Sequence, residues 1–438
     1  MKVTYYGQAC TMIEAAGRRL LTDPWLTEGA YGGTWFHTHV LAEAGVTPET
    51  IRKDVDYIFL SHEHQDHLDP ATLQHFPKDV PVLICRFPTR KFRHHLEEIG
   101  LTNIQELASG EPRNLGDGLE VTIFGSAEYT NDAAILVTAE GHSVFNETDC
   151  KLGYRELELL RDRNIDIGFF MFSGANWYPM LYENSAEAKL EQVRRRRRLL
   201  LKGFVERVRL TRPRIAVPSA GPCTILDPDL RWLNSKELGI FIDPEDAVAA
   251  IRAAGLPTDG VNMAATDVWD SSRGIERHAP PAFRLPRDQY LEEAAGRWAD
   301  VIRARKAAEP PAQADLPTLL PRHFERLVAA QTPAIRARIG AKVGFHVTGP
   351  HGGSWTLDFT RPSAPFVEEG LASDWTYRIE AEDKLIYPFV SGAEPFLEDL
   401  FLSMRVNLAR RPDVYNEPLY HFLYEPDPGK LHDWYAAH

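Results

Sequence analysis

Apolar residues recur along this chain with two periods, and the periods divide it into elements. Short runs at 3–6, 11–15 and 19–22, with a turn at Ala16-Gly17, predict three neighbouring strands. The run 55–60 reads as a buried strand, and 80–85 as another. Between and after them, 70–73 and 89–99 predict helices. Residues 119–124, 133–138 and 143–149 predict strands, the last two paired about Glu140-Gly141. Helical periodicity returns at 154–162 and 186–210, with strands at 165–172 and 215–218. Strands interleaved with helices in this order predict an α/β fold of packed sheets.

The pattern changes further on. A helix at 288–307 leads into Glu309-Pro310-Pro311-Ala312-Gln313-Ala314-Asp315, which reads as a linker. Residues 317–338 look helical. Residues 343–348 and 354–359 form a predicted hairpin around Gly349-Pro350-His351-Gly352-Gly353. A strand at 375–379 precedes a short helix at 381–387, stopped by Pro388. This gives three parts: 1–280, a helical linker 281–316, and a C-terminal α+β domain 317–438. The last is similar in layout to sterol-carrier-protein-like domains, which implies an apolar cavity.

Composition narrows the setting. The chain has 438 residues, 44% hydrophobic and 25% charged, as in ordinary globular proteins. A net charge of −13 argues against nucleic acid or an anionic membrane as the main partner. No apolar run reaches the roughly 18 residues of a spanning helix. The N-terminus reads as a strand and not a leader. Four cysteines, at 10, 85, 150 and 223, are far apart and form no C-x-x-C pair, so a reducing, cytoplasmic setting is expected. Cys150 reads as a packed small residue or a metal-site thiol. The arginine run 194–198 spreads around a helix; it reads as a solvated face, or as a contact for an acidic partner or a phosphate.

The chemistry concentrates at Ser61-His62-Glu63-His64-Gln65-Asp66-His67-Leu68-Asp69, directly after the buried strand. His62 and His64, two apart in a loop, can grip one metal; Asp66 and His67, further round the turn, can reach a second. Imidazole and carboxylate ligands suit zinc, iron or manganese. Asp69 is a predicted N-cap and Pro70 the first helical residue. Asp23 reads as a turn aspartate or as a carboxylate orienting a ligand imidazole. Trp35 and His37, in the glycine-rich loop 26–50, and Asn176, Trp177 and Tyr178, in the loop 173–179, are candidate substrate contacts. His37 and His39 also copy the ligand spacing, but lack the preceding strand and the following Asp-His.

The H-x-H-x-D-H pattern resembles the metal motif of the metallo-β-lactamase superfamily. That resemblance implies an αββα sandwich over 1–280, with Asp149 as the metal-bridging carboxylate. The superfamily usually places a third histidine near position 128, where this chain has Glu128. The resemblance then implies a two-histidine, one-carboxylate set of His62, His64 and Glu128, the type that suits non-haem Fe(II). Asp66, His67 and Asp149 would form an oxygen-rich second site, with Glu128 and Asp66 as the catalytic carboxylates. No histidine follows the strand at 215–218, where hydrolytic members carry a last ligand, so the second site is expected to be open or incomplete.

More narrowly, 146–150, 173–179, 218–222, 401–405 and 411–416 resemble CMP-N-acetylneuraminate hydroxylase and its bacterial relatives. Glu128 is similar to the carboxylate of di-iron oxygenases on this fold. The implied function is a non-haem iron oxygenase with two iron ions per chain, or one. It would hydroxylate or N-oxygenate a small polar substrate with O2. No cysteine–histidine pairs are present to hold a Rieske cluster, so electrons would come from an external reductase or from the substrate. The alternative is a zinc or manganese hydrolase of a lactone, amide or phosphodiester.

Overall fold

The computed structural model describes residues 1–126, 128–174, 176–393 and 397–437. The chain divides into two compact units. The first comprises Met1–Ala30, Trp35–Ala175 and Val193–Ala299; the second comprises Tyr31–Thr34, Asn176–Gln192 and Asp300–His438. The division falls inside the helix Arg287–Ala308, later than residue 280, and the second unit takes in two earlier segments.

The first unit is built on two large sheets. One has eight strands in the order Gly274–Glu276, Val268–Asp270, Lys2–Gly7, Cys10–Ala15, Arg18–Thr22, Tyr57–Phe59, Val82–Cys85 and Ile104–Leu107. The other has seven, in the order Asp259–Gly260, Ile215–Ser219, Ile167–Met171, His142–Asn146, Ala133–Ala139, Leu119–Gly125 and Pro112–Gly116. Side chains alternate between two cores, as the strand period of two requires. Val121, Ile123, Ile135 and Val137 meet Val3, Ile13, Leu20 and Phe59 of the first sheet. Their neighbours Phe124, Ala134 and Leu136 face the other way, against Leu157, Leu160, Phe204 and Val208 on the helices Tyr154–Arg161 and Ala186–Thr211. With both faces covered, these strands read as nearly unbroken apolar runs. The α/β sandwich expected from the sequence is present.

The second unit is α+β. Its five-stranded sheet runs Val367–Glu369, Gly353–Asp358, Lys342–Thr348, Tyr377–Glu382, Asn407–Arg410, with only the pairing of Lys342–Thr348 and Tyr377–Glu382 parallel. The helix Leu316–Ala330 buries Leu316, Leu320, Phe324 and Val328, one stripe at four-residue spacing. Glu309, in the predicted linker, pairs with Arg405 and Lys384, so that stretch is pinned. Pro388 does not stop its helix, which spans Asp383–Ser391 and ends at Gly392 with φ +83°. Proline forfeits one backbone hydrogen bond, and the left-handed glycine supplies the actual stop. No helix among the described residues is long and apolar enough to cross a membrane.

One polar centre holds the segments that close the first unit. Asp267 is fully buried and accepts from the backbone N–H groups of Ala264 (3.0 Å), His278 (3.0 Å) and Ala279 (3.2 Å). It also accepts from Arg277 and Arg284. Burial alone would raise its pKa, but these donors, Arg284 foremost, hold it below the usual carboxylate range. A depressed pKa contributes stability above the unfolded value, near 4, and loses it as pH falls through the folded value. Asp267→Asn should therefore cost about 1.5–3 kcal/mol at neutral pH, the scale of charged hydrogen bonds. Denaturant melts should show that deficit narrowing as the pH is lowered below about 4.

Candidate metal centre

The parallel pairing of Arg18–Thr22 with Tyr57–Phe59 brings two strand ends together, and Asp23 N–H donates to Phe59 O at 2.9 Å. Asp23 follows the first strand with φ +35° and is fully buried. Its carboxylate accepts from Ser61 N (2.8 Å), Ser61 Oγ (2.7 Å) and His67 Nδ1 (2.8 Å). A carboxylate can only accept, so His67 carries its proton on Nδ1 and, when neutral, has its lone pair on Nε2. Ser61 has spent its proton on Asp23, so its Oγ accepts from His62 Nδ1 at 2.9 Å. That leaves a lone pair on His62 Nε2 as well, within hydrogen-bond reach of His64. Beyond the loop, Asp69 accepts from Ala71 N and Thr72 Oγ1, capping the short helix Pro70–Leu73 as the sequence predicted.

The lone pairs converge. His62 Nε2 lies 2.7 Å from His64 Nδ1. His67 Nε2 lies 3.6 Å from an Asp66 oxygen and 3.5 Å from Asp149 Oδ1. His62, His67 and Asp149 each offer a ligand atom within 4.8 Å of the others. His67 Nε2 and Asp149 Oδ1 are buried with no hydrogen-bond partner. Buried polar atoms are normally satisfied, so orphaned atoms aimed at one point fit a cation there. The donor set is nitrogen and oxygen only: all four cysteines are buried and free, and Cys150 Sγ packs against Phe124 O at 3.7 Å.

Asp149 is placed from the opposite sheet. Thr148 before it adopts φ +56°, held by its N–H donating to Asn146 Oδ1 and its hydroxyl to Ala133 O. Asn146 Nδ2 donates in turn to Ala9 O and Thr22 Oγ1, which ties this turn to the first sheet. Glu147, fully buried, accepts from Arg207 Nε (2.9 Å) on the helix Ala186–Thr211 and from Met171 N (3.1 Å). Burial raises its pKa to about 7 despite Arg207.

The electrostatics suit a cation-binding cluster. Burial lowers the His62 pKa well below its ordinary value, and His67 and His64 add to the effect. Burial acts the same way on His67, but Asp66, Asp149 and Asp23 outweigh it and raise its pKa well above normal. A bound cation would supply the positive charge that His67 otherwise takes up as a proton.

Asp132 was not foreseen from the sequence. It is buried, with Oδ1 3.3 Å from His62 Nδ1, and burial raises its pKa to about 6. Its one signal is position: like Asp149, it is an acid at the end of a strand of the second sheet.

Several expectations need correction. Glu128 does not join the cluster. Its N–H donates to Ser126 Oγ, and the half-exposed carboxylate pairs with Lys151 at 3.1 Å. A hydrated ion pair on the rim has no desolvation cost, which an unfilled buried seat would impose. His37 is buried with both ring nitrogens engaged, by Glu28 (3.1 Å) and Trp25 O (3.0 Å), and its ring stacks on Trp25. Trp35 is buried in a two-residue strand paired with Thr224–Ile225. Asn176 Oδ1 accepts from Tyr178 N, shaping its own turn. Trp177 packs on Phe401 and Tyr420; Tyr178 donates to Asp413 beneath the Arg410 guanidinium. Each of these side chains has packing or hydrogen-bond partners within its own unit. Ala175, within the loop 173–179, lies outside the described residues.

Residues 2–148 match the family model for the Beta-lactamase superfamily domain. A candidate Rieske 2Fe-2S iron-sulfur protein of Mycolicibacterium smegmatis is 29% identical, over 97% of this chain and 84% of that protein. The cytidine monophosphate-N-acetylneuraminic acid hydroxylase of Danio rerio is 29% identical, over 58% of this chain but only 44% of its own length. Among solved structures, CmlA, a diiron β-hydroxylase from Streptomyces venezuelae, is 17% identical with a TM-score of 0.40, covering 60% of this chain and 52% of that one. An isothiocyanate hydrolase from Delia radicum gut bacteria is 15% identical with a TM-score of 0.44, covering 62% and 99%. Likenesses this distant do not choose between hydroxylase and hydrolase. Over residues 2–148 this chain is thus similar to the Beta-lactamase superfamily domain, and over 58% of its length to a cytidine monophosphate-N-acetylneuraminic acid hydroxylase.

Proposed function

We propose that the first unit is a non-haem iron oxygenase, with two iron ions per chain, acting on a small polar substrate with O2 and external electrons. The observation that carries this reading is the convergence of His62, His67 and Asp149, two imidazoles and one carboxylate, with orphaned buried atoms between them. That ligand type suits non-haem Fe(II). The sequence likeness to hydroxylases supports it. Iron held there would supply the oxygen chemistry. The chain's own residues do the rest. Asp23 and Ser61 fix the imidazoles, the Thr148 turn presents Asp149, and the paired sheets keep water from the inner side. His64 and Asp66 extend the set toward a second ion. Asp132, beside His62 Nδ1 at 3.3 Å, is placed to orient that imidazole.

Glu128 on the rim is the one observation that favours the hydrolase. The same residues around zinc or manganese would activate water instead. Metal identity decides between the two. Protein made without added metal should carry iron and consume O2 when given a reductant. Colourless zinc protein that cleaves an ester or phosphodiester would overturn the oxygenase.

The carboxylates separate in the same assay. Asp132→Ala should lower metal affinity by about tenfold or more, the scale of losing a ligand or its orienting partner. Glu128→Ala should leave metal content unchanged. Competition with a chelator measures both, and the reverse pattern would restore Glu128 as the ligand.

A further inference from the structure

A second site lies in the first unit, at the start of the helix Arg287–Ala308. It is a polar cavity of about 130 Å³, lined by Tyr6, Gln8, His39, Asn262, Arg284 and Arg287 among others. Arg287 is nearly buried, with 5% of its side chain exposed, yet it lacks a close partner. Its nearest carboxylate is Asp243, whose Oδ1 lies 3.7 Å away while its Oδ2 binds Lys236 more closely at 2.9 Å. It reaches Cys223 O at 3.4 Å and Asn234 Oδ1 at 3.5 Å, both at the limit of hydrogen bonding, and its Nε has no partner. A buried cation whose ion pair and hydrogen bonds are all this long is poorly compensated, which is costly.

The other charges at the cavity are accounted for. Arg284 is held by Asp267. Glu245, exposed at the rim, accepts from Asn262. Burial holds His39 neutral, its pKa pushed down to about 4. Burial raises the phenols of Tyr5 and Tyr6 well above their ordinary value, so they too are neutral. Arg287 is the charge least closely matched, with its Nε unpartnered.

We propose that this cavity binds a small anion, a carboxylate or phosphate group, with Arg287 as its counter-ion. The cavity has room for the acidic group of a small molecule. The site also borders the metal loop. Cys223, whose carbonyl meets Arg287, has a thiol pKa raised first by burial and then by the charge of Asp66.

The test titrates the full chain with inorganic phosphate and, separately, with acetate, against chloride at matched ionic strength. Melting temperature and calorimetry are the readouts. One of the two anions should give a saturable stabilisation that chloride does not, and which one identifies the group. Arg287→Met should weaken that binding at least about tenfold, equivalent to about 1.4 kcal/mol, while Arg287→Lys keeps part of it. Asp149→Asn should leave it intact, which separates this site from anion binding at the metal centre. Glu245→Gln, at an exposed rim position, should tighten it, and keeps the proposal testable if Arg287→Met fails to fold. No anion-specific effect in the wild-type chain would overturn the site, as would undiminished binding in Arg287→Met. So would equal loss in Asp149→Asn, or unchanged affinity in Glu245→Gln.

Discussion

The candidate centre depends on one buried carboxylate. Asp23 has no exposed surface, so its charge must be matched from within, and Ser61 and His67 provide all three donors. The match works in both directions. The donors stabilise Asp23 as an anion, and the anion dictates which nitrogen of His67 carries the proton. Through the Ser61 hydroxyl it dictates the same for His62. Two imidazole lone pairs are thereby aimed inward before any ion arrives. Metal-site geometry is here set by hydrogen bonding one layer out.

The sandwich explains why the ligands come from both sheets. The H-x-H-x-D-H loop leaves a parallel strand of the first sheet, and Asp149 leaves a strand of the second. Parallel strands present successive loops at the same end, which is where such folds gather chemistry. Asn146 bridges the two halves by donating to Ala9 and Thr22. The centre is therefore as rigid as the contact between the sheets, and the packing of Ile123, Ile135 and Phe59 serves the site as much as stability.

Some of this was legible in the sequence because it is local. Histidines two apart after an apolar run, Asp69 ahead of Pro70, and the alternation at 119–124 and 133–138 each depend on neighbours within a few positions. The rest depends on distant partners. Tyr178 meets Asp413, 235 positions later, and no local pattern distinguishes such an aromatic from one that grips a substrate. Asp132 and Glu128 are four residues apart and chemically alike. They are told apart only by distant partners, Lys151 for Glu128 and His62 for Asp132. Arg287 was invisible for a similar reason: at the start of a helix it reads as an ordinary surface arginine until Cys223, Asn234 and Asp243 close over it.

The Glu147–Arg207 pair has a kinetic corollary. It fastens the turn that presents Asp149 to the C-terminal part of a 26-residue helix and to the end of the neighbouring strand at Met171. Local opening of that turn must break a buried ion pair and uncover part of the second core together. The amide protons of Glu147 and Met171 thus belong with the slowest-exchanging set of the unit, and the turn opens only when the whole sheet does. A centre anchored in this way exchanges its ion by way of the solvent side, not by breathing of the backbone beneath it.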